Sequence, residues 1–105
     1  MKVIWSYYAK GLLDKTADYI AKEFGRKTRQ DFKRQVRSVN DLLKTNPFLG
    51  QLEPLLINNP IEYRSILATR LNKIIYYVDG DTIRVADFWD CRRDPNYLAT
   101  HLNIS

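Results

Sequence analysis

The basic side chains of one short stretch have the clearest chemical potential in this 105-residue sequence. From residue 26 to residue 37 the only acid is Asp31, so these twelve residues carry a charge of +5, six positive minus one negative, which equals the formal charge of the whole chain. Such focused charge favours an anionic partner (RNA, DNA or an acidic peptide) that binds less tightly as salt is added. The alternative is an ordinary solvated helix face. The basic residues are Arg26, Lys27, Arg29, Lys33, Arg34 and Arg37.

The remaining reactive side chains exclude several classes of protein. One cysteine, Cys91, cannot form an internal disulfide, and Cys91 with the one histidine, His101, gives too few ligands for an ordinary zinc site. We therefore expect no metal and no cofactor. A phosphate-binding glycine loop, a Ser–His pair and suitably spaced carboxylates are also missing from the sequence.

The distribution of apolar residues bears on where the chain works. Its longest apolar run, residues 74–78, is far below the roughly 18 residues of a membrane helix, and the first residues lack the apolar segment of a signal peptide. We therefore expect a cytoplasmic protein without a membrane partner. The length suits one domain spanning residues 1–105.

The N-terminal half has the spacing of a strand followed by two helices. Residues 2–5 suit a short strand, and Ser6 suits the cap of the helix that follows. Gly25 is a stop signal between that first helix and a second over residues 28–44. On the second helix Arg29, Lys33 and Arg37 fall beside the apolar stripe, where a partner could touch both. The apolar stripes are Leu13, Ala17, Ile20 and Phe24, then Phe32, Val36, Val39 and Leu43.

The C-terminal half has the pattern of an antiparallel meander. Residues 46–60 hold three of the four prolines and predict an irregular loop. Asp87 breaks the alternation of the last strand, which predicts a bulge or an early strand end, and Asp94-Pro95 predicts a short helix over residues 95–102. The predicted fold is α+β, with a helical hairpin packed on a mainly antiparallel sheet. The predicted strands are 62–68, 72–79 and 82–89, with a hairpin turn at Asp79-Gly80.

This order of elements, together with several local motifs, resembles the RelE/ParE toxin superfamily over almost the whole chain. The resemblance implies the RelE-like fold and the toxin of a type II toxin–antitoxin module, in growth control or plasmid maintenance. It also implies a cognate antitoxin whose C-terminal segment wraps the toxin in a heteromeric complex. The matching motifs are Val3-Ile4-Trp5-Ser6 with Ala9 and Leu13, Tyr19-Ile20 to Phe24-Gly25, Asn46-Pro47 with Gly50, Tyr63-Arg64, residues 73–78, Ile83-Arg84-Val85 and residues 90–95.

Two mechanisms divide this superfamily. RelE-type members cleave messenger RNA in the ribosomal A site, whereas ParE-type members block DNA gyrase without cutting nucleic acid. Cleavage by the 2′-hydroxyl needs a base, positive charge at the phosphate and an acid for the leaving oxygen. The resemblance implies a basic cluster with a tyrosine for this work. The matching candidates are Arg64, Lys73, Arg92, Arg93 and Tyr97.

Structural roles compete with catalysis at these positions. Arg64 could instead pair with Glu62 or Asp87, and Tyr97 could instead pack on the core. Lys73 stands where RelE-like sequences often carry arginine, and lysine offers a point charge in place of a bidentate fork. The short catalytic inventory favours gyrase inhibition over messenger cleavage. A basic nucleic-acid-binding module without toxicity is the further alternative.

Overall fold

A computed structural model describes the backbone of residues 1–103 and their side chains other than those of residues 99–101 and 103. Within this part of the chain, two long helices pack on a five-stranded sheet, and a short helix follows at the C-terminus. No helix there is long and apolar enough to cross a membrane. The elements are β1 (Lys2–Trp5), α1 (Tyr7–Phe24), α2 (Arg26–Thr45), β2 (Gln51–Leu52), a 3-10 turn (Pro54–Leu56), β3 (Arg64–Leu67), β4 (Asn72–Asp79), β5 (Thr82–Asp90) and α3 (Pro95–Asn103).

The helical hairpin forms as its caps predict. The Ser6 hydroxyl accepts a hydrogen bond from the Ala9 backbone N–H at 3.0 Å and so caps α1. Gly25, at φ 93°, ends α1 and also precedes the first residue of α2. A side chain is strained at that φ, so glycine allows a one-residue turn. Because of this turn α2 begins at Arg26, two residues before the predicted start.

The sheet has the order β1-β5-β4-β3-β2, with β1 parallel to β5 and every other pairing antiparallel. The predicted three-stranded meander is therefore confirmed. Ile75 pairs with Asp87 and Tyr76 pairs with Val85, which leaves Ala86 as the extra residue of a bulge. β5 continues to Asp90, so the bulge was the correct alternative and the early strand end is wrong.

Both faces of the central strands are buried. The face under the helical hairpin includes Ile74, Tyr76 and Phe88. The opposite face includes Ile75 and Trp89, and α3 covers it through residues that include Leu98 and Leu102. Burial on both faces explains the uninterrupted apolar run of β4. The bulge places Asp87 opposite Ile75, hence on the face that α3 covers.

The loop predicted over residues 46–60 is partly regular, which corrects the prediction. It contains β2 and the 3-10 turn, and Gly50 joins it to the sheet. The Gly50 N–H donates to the Tyr76 hydroxyl at 2.9 Å, and Arg64 donates to the Gly50 carbonyl at 2.9 Å. A strand of two residues has no periodicity to recognise, and its antiparallel pairing with β3 defines it.

Replacing Gly50 with alanine should lower the free energy of unfolding by about 1–3 kcal/mol, the usual range for overpacking. A Cβ there would lie 2.7 Å from the Tyr76 hydroxyl oxygen and 2.8 Å from the Ser65 carbonyl oxygen. Urea unfolding measures the change. Gly11→Ala is the matched control, because a Cβ on Gly11 meets nothing within 4 Å in α1 and should stabilise by up to about 1 kcal/mol. Similar changes in both variants would contradict this account.

Candidate functional site

The basic residues of α2 line one open cavity. Arg29, Lys33 and Arg37, spaced four residues apart, enclose about 350 Å³ with Gln30 and Arg34. Arg34 forms an ion pair with Asp31 at 3.1 Å. The other three cations have no carboxylate in ion-pair contact within the described part of the chain. Three charges of one sign therefore share a small volume.

A second, more apolar pocket of about 240 Å³ adjoins the first, and Lys33 and Arg37 line both. The Trp5 indole N–H donates to the Asn40 side-chain oxygen at 2.9 Å, which holds the indole at this pocket. The predicted placement of the basic residues beside the apolar stripe is confirmed, while a binding role for them stays a prediction. Besides Lys33 and Arg37, the residues that line this more apolar pocket are Val3, Trp5, Leu13, Val36 and Asn40.

Arg64 lies on the sheet face under the helical hairpin, because it pairs with Tyr76. One guanidinium nitrogen donates to the Gly50 carbonyl, another pairs with Glu62 at 3.2 Å, and the group sits 5.0 Å from the centre of the Phe48 ring. The pairing with Glu62 is one of the two alternatives predicted from the sequence. The guanidinium thus fastens the loop to the sheet.

Lys73 lies on the opposite face, where its ammonium meets a buried carboxylate. It donates to both oxygens of Glu53, at 2.5 and 2.8 Å, and Glu53 is only 1% exposed. The Ser65 hydroxyl donates to the same carboxylate at 2.7 Å. The charge of Lys73 is therefore compensated inside the protein, and the ion pair fixes the segment after β2 to β4.

Arg92 and Arg93 are adjacent in sequence but have different surroundings. Arg92 grips Asp90 with two hydrogen bonds of 3.0 and 2.8 Å, and this guanidinium holds the pKa of Asp90 below its usual value. Arg92 also lines a groove of about 570 Å³ beside the exposed rings of Tyr19 and Phe24. Arg93 lies instead over the rings of Trp89 and Tyr97, at 5.2 and 4.5 Å.

Tyr8 and Asp87 lie in the same cluster as Arg93 and Tyr97. The sequence analysis assigned neither Tyr8 nor Asp87 to a site. The Tyr8 hydroxyl interacts with Tyr97 and Arg93; burial, then the charge of Asp87 and then the bond with Tyr97 raise the pKa of Tyr8. Asp87 is fully buried. The break that Asp87 makes in the strand pattern was a signal, which predicted a bulge or an early strand end but no site. Tyr8, in the first turn of α1, gave no signal.

The structure therefore brings together two of the five residues considered for RNA cleavage, Arg93 and Tyr97. Arg64 is on the other face of the sheet, Lys73 is held by Glu53, and Arg92 borders the groove beside α1. In the described part of the chain, the five side chains do not surround one space that could hold a phosphate. Their catalytic role remains a prediction.

Because two tyrosines have raised pKa values, we predict that the free energy of unfolding falls at alkaline pH. Burial raises the pKa of Tyr76 despite the Gly50 hydrogen bond and the charge of Arg64, and the pKa of Tyr8 is raised as well. Above pH about 10 the unfolded chain releases these protons before the folded one, so stability present below that pH falls as pH rises. Urea midpoints across this range measure the loss, and Tyr76→Phe should reduce it. A midpoint independent of pH would contradict the assignment.

The comparison with known proteins agrees with this architecture. The chain has the RelE/ParE toxin fold, since a chain of the chromosomal ParDE toxin–antitoxin system from P. aeruginosa superposes with a TM-score of 0.70 at 18% identity, covering 86% of this chain and 95% of that one. A YoeB/ParE toxin from Agrobacterium tumefaciens gives 0.56 at 20% identity, covering 86% and 98%. Among curated proteins, no sequence matches.

The family model of the ParE toxin of the type II toxin–antitoxin system parDE matches residues 3–95. The chain therefore belongs to the ParE toxin family, and it is a ParE-type toxin of a type II toxin–antitoxin system. Membership in this family implies a cognate antitoxin as its partner.

Proposed function

We propose that this toxin acts in the cytoplasm and arrests growth by binding DNA gyrase, without cutting nucleic acid. The observation that carries the proposal is the dispersal of the cleavage candidates. The ammonium of Lys73 is paired with the buried carboxylate of Glu53. The guanidinium of Arg64 binds the Gly50 carbonyl on the opposite face of the sheet, under the helical hairpin. A binding mechanism requires no acid, base and phosphate contact around one point, so it tolerates this dispersal.

The protonation of Tyr8 also supports binding over cleavage. A general base works best when its pKa lies near the operating pH. Burial and the charge of Asp87 move the pKa of Tyr8 upward from an already high value, so the phenol stays protonated at neutral pH. Tyr8 is therefore a poor base for a 2′-hydroxyl.

Messenger cleavage on the ribosome is the second candidate, and one cluster favours it. Arg93, Tyr97 and Tyr8 place a guanidinium beside two phenol groups. A guanidinium can stabilise a phosphate in the transition state, and a phenol can donate a proton to a leaving oxygen. The base would then have to come from the RNA or the ribosome.

Pulse labelling after induction of the toxin alone separates the two mechanisms. DNA and protein synthesis are followed within minutes of induction, before secondary effects accumulate. We expect DNA synthesis to stop first while protein labelling continues. An earlier arrest of protein synthesis would overturn the gyrase proposal and make Arg93, Tyr97 and Tyr8 the residues to dissect. Coexpression of the antitoxin is the control, since it should restore both labels.

A further inference from the structure

We propose that the pocket on the α3 side of the sheet, together with the guanidinium of Arg93 beside it, is the surface that binds gyrase. The part of gyrase that fits it is an exposed apolar side chain with a carboxylate next to it. The pocket encloses about 470 Å³ and lies on the face of the sheet opposite the helical hairpin. This inference rests on the proposed gyrase mechanism and names the contact surface of the toxin in it.

The pocket has the size and the lining of a binding site. Its volume lies within the ~300–1,000 Å³ of ordinary ligand sites, so it has room for a bulky side chain of a partner. The rings of Tyr63 and Tyr77 meet edge to face at 5.6 Å and form one wall. Tyrosine is enriched at protein interfaces, where its apolar ring packs while its hydroxyl forms hydrogen bonds. The lining includes Ile4, Tyr8, Ile61, Tyr63, Tyr77 and Leu102.

The guanidinium of Arg93 supplies the polar half of the site. It lies 4.5 Å from the centre of the Tyr97 ring and 5.2 Å from that of the Trp89 ring, and it hydrogen-bonds the Tyr8 hydroxyl. These neutral groups hold the guanidinium in place without compensating its charge. Within the described residues Arg93 has no carboxylate in ion-pair contact. A carboxylate of a partner would therefore meet an arginine that is already oriented.

Tyr8 joins the two halves of the site. It lines the pocket, and its hydroxyl bonds both Arg93 and Tyr97. Because the pocket and the guanidinium share this side chain, one partner surface can contact both at once. Tyr8 and Tyr97 are 38% and 46% exposed, so the junction is open to a partner.

The charges around the pocket favour a protein over a nucleic acid. Arg84 also borders the pocket, but its guanidinium is paired with Asp79 at 2.9 Å. Arg92, next to Arg93 in sequence, is paired with Asp90 at 2.8 Å. Of these three arginines, Arg93 is the one whose charge is uncompensated within the described part of the chain. A nucleic acid is bound through several cations that follow its phosphates, whereas one cation beside an apolar pocket suits a protein surface.

The test measures the toxin concentration that halves the supercoiling activity of purified gyrase. Ile4→Glu places a carboxylate on a 42% exposed residue that lines the pocket, where it would repel the carboxylate of the partner and exclude its apolar side chain. We expect this concentration to rise about tenfold or more. Leu67→Glu is the matched control, since it makes the same change at an exposed strand residue outside the pocket. It should inhibit like the wild type, and an equal loss in both variants would refute the site.

Thermal unfolding must show that the Ile4→Glu chain is folded. If it is not, Ile61→Glu replaces it, because Ile61 lines the same pocket from an exposed loop. Binding of gyrase by the wild type should also weaken as salt rises, and less steeply in Arg93→Ala, because salt screens the pair with the carboxylate. The same salt dependence in both proteins would contradict the pairing of Arg93 with a carboxylate.

Two labelled nucleic acids, a single-stranded RNA and a DNA duplex, test the other class of partner in fluorescence anisotropy. The wild type and Ile4→Glu should differ in binding of either nucleic acid by less than about twofold, the effect of one added surface charge. A loss of nucleic-acid binding as large as the loss of inhibition would assign the pocket to nucleic acid and overturn the proposal.

Failure of this inference is distinguishable from failure of the gyrase proposal. A wild-type toxin that leaves supercoiling intact would overturn both. Inhibition by the wild type that a folded Ile4→Glu variant retains in full would overturn the contact surface alone and leave gyrase as the target.

Discussion

A Lys73→Ala variant is expected to lose about 3–5 kcal/mol of its free energy of unfolding, the cost of breaking a buried ion pair. The substitution would leave the carboxylate of Glu53, which is 1% exposed, with the Ser65 hydroxyl as its remaining side-chain donor among the described residues. Domains of ordinary stability have only about 5–15 kcal/mol in total, so this loss is severe. Urea unfolding of the purified variant measures it.

The double variant Glu53→Gln with Lys73→Met is the matched control. It removes both charges together and keeps groups of similar size, so it should recover most of the lost stability. It should also still arrest growth, because Lys73 has a structural role in this account. A loss below about 1 kcal/mol in Lys73→Ala would show that the pair behaves like an exposed one. Loss of toxicity in a folded double variant would return Lys73 to the catalytic candidates.

Replacing both Arg92 and Arg93 with alanine is expected to abolish growth arrest while antitoxin binding persists. Arg92 is exposed at the end of the sheet, and Arg93 is held against Trp89 and Tyr97. Arginine on an aromatic support is typical of residues that dominate protein interfaces, where truncation costs about 2–4 kcal/mol, or roughly 30- to 1,000-fold in affinity. The toxin concentration for half-maximal inhibition measures the effect.

Arg84→Ala serves as the comparison for this variant, since Arg84 is an exposed arginine paired with Asp79 at 2.9 Å at the other end of β5. It should leave inhibition nearly unchanged. Thermal unfolding must show that the Arg92 and Arg93 variant is folded. Unchanged growth arrest in that folded variant would remove both arginines from the target surface, and simultaneous loss of antitoxin binding would place them in the antitoxin interface.

The elements with a strong period were predictable from the sequence. Two apolar stripes separated by Gly25 predict the hairpin, because helix period and glycine conformation are local properties. A bulge was one of the two alternatives predicted where Asp87 breaks the strand alternation, and the pairing of β4 with β5 places it at Ala86. By contrast, β2 has two residues, and its place at the sheet edge follows from its pairing with β3, beside which Gly50 contacts Tyr76 and Arg64.

The candidate site was harder to predict because its contacts join distant parts of the chain. Glu53 lies in a segment predicted as loop, 20 residues from Lys73, so its pairing carries no local pattern. The contact of Tyr8 with Arg93 and Tyr97 joins the two ends of the chain, whose strands β1 and β5 pair in the sheet. The basic face of α2 was predictable, since helix geometry alone places Arg29, Lys33 and Arg37 beside the apolar stripe.

The most direct test of the central claim adds the purified toxin to purified DNA gyrase and relaxed plasmid, and in parallel to ribosomes translating a defined messenger. The account predicts that supercoiling stops in proportion to toxin concentration, that added antitoxin restores it, and that the messenger stays intact. Cleavage of the messenger in the ribosomal A site with supercoiling unaffected would contradict the account.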